Sequence, residues 1–114
     1  MAGLPEAIPS QLMTAGSIPT WHAMDRNEAH GLLRQQLDRH RTRPHRELQS
    51  LIAEPEVVEL EGPSGTRFCI EVLAVWDSQV GGDIRVIGSI DDGGWRAFKP
   101  LSDDFIMRPD GTLV

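Results

Sequence analysis

The chain has 114 residues, enough for one domain that buries roughly 65% of its unfolded surface around a single core. Hydrophobic content of 39% and charged content of 25% fit an ordinary globular protein, and no apolar run approaches the roughly 20 residues that cross a bilayer. The lone Cys69 excludes an internal disulfide; with no basic, apolar leader at the N-terminus, it sets the expectation of a cytoplasmic protein.

The net charge of −6 is spread unevenly. Residues 1–50 hold six Arg against five acids, whereas residues 51–114 hold five basic residues against twelve acids. That asymmetry fits either complementary packing of two halves or two separate partners.

Residues 1–20 combine Pro5, Pro9, Pro19, Gly3 and Gly16 with apolar residues that follow no period. They read as a flexible N-terminal arm ahead of one domain at 21–114, with Trp21 as a plug that docks the arm. Asp25-Arg26-Asn27-Glu28 has the spacing of a capping box, in which each side chain serves an orphan N–H at a helix start. Ala29, Leu32, Leu33 and Leu37 follow at helical spacing and predict a helix from Arg26 to Arg41. Gln36 and His40 fall inside that stripe and weaken it, as does Gly31. Arg43-Pro44 interrupts the helix, and Thr42 is a candidate cap for a second one carrying Leu48, Leu51 and Ile52. One kinked helix satisfies the pattern equally well.

From Val57 the period changes to two. Strands are predicted at 57–61 and 66–76, with Gly62-Pro63-Ser64-Gly65 as the turn between them. Phe68, Ile70, Val72, Ala74 and Trp76 share one face of the longer strand, and Arg67, Cys69, Glu71, Leu73 and Val75 share the other. A strand at 83–91 leads into Asp91-Asp92-Gly93-Gly94, read as a tight hairpin turn, and a strand at 95–101 follows. Ser102-Asp103-Asp104 is expected to be a corner or a single helical turn, Phe105 to Met107 a short strand, and Pro109-Asp110-Gly111 a turn. Helices followed by a meander give an α+β fold: an N-terminal helix or helix pair packed on one face of a four- to five-stranded antiparallel sheet.

Candidate chemistry is sparse. Cys69 lies mid-strand with no His nearby in sequence, so it reads as structural. His22, His30, His40 and His45 form no His-x-x-x-His pair, and neither a metal nor a cofactor is expected. Asp91, Asp92 and Asp104, with Arg96, form a possible polar site, and paired Asp residues allow a small hydrolase. Adjacent Asp residues at turns and caps have an ordinary structural role as well. Arg39 to Arg46 is the densest basic run and a candidate nucleic-acid contact in an otherwise acidic chain.

The segments Glu61 to Gly65, Ile70 to Asp77, Gly88 to Phe98 and Asp104 to Gly111 together resemble a family of small bacterial proteins, a domain of unknown function. Ile90-Asp91-Asp92-Gly93-Gly94-Trp95-Arg96-Ala97-Phe98 is the most specific part. The resemblance implies a bacterial source and supplies no catalytic residues. With no catalytic constellation, the chain reads as a non-enzymatic protein-interaction module. Leu73, Val75, Ile87 and Phe98 oppose the apolar sets of their own strands. If they share the face that the helices leave bare, they form the docking patch for a protein partner or a second copy in a homodimer, unless the N-terminal arm and Trp21 fold over it.

Overall fold

The computed structural model describes residues 25–93 and 100–114. The expected arm, Trp21, residues 95–99 of the expected strand at 95–101 and the core role of Trp95 lie outside the described residues.

Helix α1 spans Arg26–Arg41, as its periodicity predicts. Asp25 caps it, accepting from the N–H groups of Asn27 and Glu28, both at 3.1 Å. Only half of the expected capping box forms. Glu28 turns away from the helix start and accepts from the N–H and the hydroxyl of Ser64, at 2.9 and 2.7 Å. It thereby ties the first turn of α1 to the turn at 62–65.

Thr42 ends α1 rather than starting the next helix, its hydroxyl donating to the Arg39 carbonyl at 3.0 Å. The second helical segment follows as two single turns, α2 (His45–Leu48) and α3 (Ser50–Ala53), with Pro44 before the first. Pro44 loses no helical bond there, because the first N–H groups of a helix have no internal acceptor.

Strands β1 (Glu56–Glu61), β2 (Arg67–Trp76), β3 (Ile84–Asp91) and β4 (Leu101–Met107) form one antiparallel meander in sequence order. The turn before β2 holds Gly65 at φ +90, and the loop before β3 holds Gly81 at φ +86. Two expectations change at the C-terminal end. Ile90 pairs with Leu101, so the connection between β3 and β4 is longer than the tight Asp-Asp-Gly-Gly turn. Ser102, Asp103 and Asp104 belong to β4 instead of a corner. Asp disfavours strands, but here Asp104 is ion-paired with Arg85 across the sheet and Asp103 approaches His30 at 3.9 Å, and the β3 ladder overrides local preference.

The core lies between the helices and one face of the sheet. Leu33 and Leu37 of α1, with Leu48 and Leu51, meet Phe68, Ile70, Val72, Ile84, Val86 and Ile90. Helix α1 crosses β3 and β4, while α3 covers β2. Gly88 sets how closely α1 can lie. A Cβ there would stand 2.9 Å from Leu33 Cδ1 and 3.0 Å from Leu37 Cδ2, inside contact distance. Gly31, on the outer side of α1, has nothing within 4 Å of the corresponding position.

The two glycines should therefore respond to alanine with opposite signs. Gly88→Ala is expected to destabilise by about 1–3 kcal/mol through overpacking, and Gly31→Ala to stabilise by up to about 1 kcal/mol. Urea unfolding of both variants checks this, and equal shifts would remove the close-approach argument.

Candidate functional site

Side chains alternate across a strand, so every second residue of the sheet points away from the helices. On that open face Leu73 lies directly opposite Ile87, Val75 opposite Arg85, and Arg85 in turn opposite Ile106. Leu73, Val75 and Ile87 thus share the bare face, as the expected patch requires, and Phe98 lies outside the described residues. Ile106 joins them; the sequence alone missed it because its register against β3 has no local signal. Val75 is 41% exposed and the other three are half-buried.

The surroundings of this apolar island are mostly acidic. Glu59, Glu61, Glu71, Asp91 and Asp104 share the face with Arg67 and Arg85. Both arginines are engaged with carboxylates. Arg85 Nε donates to Asp77 Oδ1 at 3.0 Å and its Nη1 pairs with Asp104, while Arg67 stands 3.5 Å from Glu59. Cys69 sits in the same field. Burial, and then the charges of Asp91, Glu59 and Glu71, raise its thiol above the ordinary value, so it is held as a poor nucleophile.

The polar site suggested by the Asp residues does not assemble among the described residues. Asp91 accepts from the Gly93 N–H at 2.7 Å, a turn role that accompanies φ +75 at Gly93. Asp104 faces Ile87, four residues away along β3, which is about 13 Å. Asp103 and Asp104 point to opposite faces of β4, one towards His30 and one towards Arg85. Asp92 lines a hollow of about 170 Å³ together with Glu59, Arg67 and Cys69. Arg96 lies outside the described residues.

No family model, curated protein or solved structure matches the chain. The site is therefore read from its geometry.

Two buried histidines account for much of the polar interior. His40 Nε2 lies 2.9 Å from Glu56 Oε1, which also accepts from Gln36 Nε2 at 3.0 Å. The polar intrusions into the α1 stripe are thus paired with the start of β1. His45 is held between the Gly82 carbonyl, 2.8 Å from its Nε2, and Gln49, 3.3 Å from its Nδ1, with its ring 5.9 Å from that of Trp76. Since Gly82 offers only an acceptor, His45 carries its proton on Nε2. No cluster of three metal-ligating side chains occurs among the described residues.

Structure also thins the basic run. His40 and His45 are interior, and Arg41 pairs with Asp38 and lies 5.0 Å above the Phe105 ring. Arg39, Arg43 and Arg46 remain exposed. Arg43 and Arg46 border an open cleft of about 500 Å³ against Pro109 and Gly111.

Glu56 supplies a pH test. Burial is the largest influence and pushes its carboxyl up, but the hydrogen bonds from His40 and Gln36 and the positive charge of His40 and Arg43 outweigh it, leaving it below the ordinary 4.5. The unfolded chain then binds the proton first as pH falls, so this contribution is present above 4.5 and lost as pH drops through the lower folded value. The stability gap between wild type and Glu56→Gln should be widest near neutrality and close below pH 4.5 in urea titrations at successive pH. A gap independent of pH would contradict it.

Proposed function

We propose that this protein is a non-enzymatic interaction module that docks another protein on the open face of its sheet. The observation that carries this is the register, which gathers Leu73, Val75, Ile87 and Ile106 on the face the helices leave uncovered. An apolar island ringed by charge is the anatomy of a docking surface: apolar contacts at its centre, a polar rim around them. Five carboxylates against two guanidiniums, both already engaged, select a partner whose own rim is basic. The lone Cys69 supports a reducing, cytoplasmic setting, and the resemblance of the Ile90 to Phe98 segment supports a bacterial source.

A second reading rests on the exposed Arg39, Arg43 and Arg46, the last two lining the 500 Å³ cleft, which suit contact with nucleic-acid phosphates. Gel shifts that weaken steeply with salt and vanish on Arg43→Ala with Arg46→Ala would favour it over the first.

Leu73→Asp tests the first reading, because this half-buried residue is outside the core and the variant should keep the wild-type melting curve. A partner retained by immobilised wild type should be released by salt and lost by the variant. With purified components its affinity should fall by about tenfold or more, about 1.4 kcal/mol. Wild type and variant retaining the same proteins would overturn the reading. Self-association of wild type in light scattering, abolished by Leu73→Asp, would assign the face to a second copy.

A further inference from the structure

The two edges of the sheet are finished differently. At β4 the chain turns back: Met107 bridges to Leu113, and the Val114 N–H donates to the Ile106 carbonyl at 2.9 Å, so the tail occupies part of that edge. Strand β1 is the other edge, and among the described residues nothing pairs with its outer side.

Hydrogen-bond parity shows which groups are free there. The Gly62 N–H donates to the Thr66 carbonyl at 2.8 Å, and bonded pairs alternate along an antiparallel ladder. Leu60, Val58 and Glu56 therefore bond inward to β2, while the N–H and C=O groups of Val57, Glu59 and Glu61 point outward. The side chains of those same three residues stand on the open face. Val57 is 61% exposed, and the hollow of about 170 Å³ opens beside Glu59.

We infer that the β1 edge is a strand-addition site for an extended, basic segment of another protein. Main-chain bonds to Val57, Glu59 and Glu61 supply the pairing, and side chains at alternate positions supply the selection. In antiparallel pairing, the segment meets Glu61, Glu59 and Val57 in that order. The complementary pattern is then basic-x-basic-x-apolar. A second copy of β1 is a poor occupant, since full antiparallel pairing sets Glu59 directly against its own copy. The edge is distinct from the apolar island, and neither depends on the other.

The test uses the full chain and a fluorescein-labelled peptide, Ser-Lys-Val-Arg-Val-Val-Thr, in fluorescence anisotropy, with Ser-Glu-Val-Glu-Val-Val-Thr as control. Wild type should bind the basic peptide more weakly as salt rises, and the acidic peptide about tenfold less well or worse. Glu59→Pro removes an outward N–H that the β2 ladder does not use, so the variant should fold and lose binding by about tenfold or more. Glu59→Lys should lose it too, and decides the matter alone if the proline variant does not fold. Leu73→Asp should bind the peptide as wild type does. A wild type blind to the basic peptide, a folded Glu59→Pro variant of undiminished affinity, or a loss on Leu73→Asp would overturn the assignment.

Discussion

The contact of α1 with the sheet at Gly88 organises the molecule. Where β3 carries no side chain on its inner face, Leu33 and Leu37 come down onto backbone, and the helix settles over β3 and β4. That leaves β2 to be covered by something else. The short segment after Pro44 does so through Leu48 and Leu51, anchored at its start by His45 between Gln49 and the Gly82 carbonyl. One layer of helix is then used up on one face of the sheet. Among the described residues no second layer covers the other face.

The interior polar contacts fix how α1 lies along the sheet. Leucines alone would tolerate sliding by a turn, but Gln36 and His40 both converge on Glu56, and that geometry exists at one position only. Buried polar groups are costly when unpaired, so a slipped arrangement is disfavoured more strongly than it would be by lost packing. His40 Nδ1 has no hydrogen-bond partner among the described residues. The polar contact of the ring therefore lies on its Nε2 side, against Glu56.

Features with local causes were legible in the sequence. The bounds of α1 follow from Asp25 and the leucine spacing, and β1, β2 and β3 from their period of two. What could not be read depends on partners distant in the chain. Gln36 and His40 look like flaws in a stripe until Glu56, 20 and 16 residues on, is placed against them. Ser102-Asp103-Asp104 looks like a corner or a helical turn until Arg85 and His30 stand opposite its carboxylates. For the candidate site, the mixed face of β2 was visible, and the register that sets Leu73 against Ile87 and adds Ile106 was not. Face membership has a period of two, but register is fixed by loops and by packing across the whole sheet.

The acidic character of the sheet half gains a physical role from this topology. An exposed edge strand is a hazard because its unpaired backbone groups accept any extended chain, its own copies first. Here β4 is partly closed by the returning tail, whereas β1 has no outer partner among the described residues and places Glu59 and Glu61 beside its free groups. Carboxylates on an edge repel another acidic edge and leave the hydrogen-bonding groups unblocked, which a covering helix would not do. The same charge continues across the open face through Glu71, Asp91 and Asp104, so the edge and the face discriminate in one sense. In the proposed reading, such a surface disfavours a second acidic edge and favours a basic chain. Five of the twelve carboxylates of residues 51–114 thus stand where, among the described residues, the fold leaves backbone and apolar groups open.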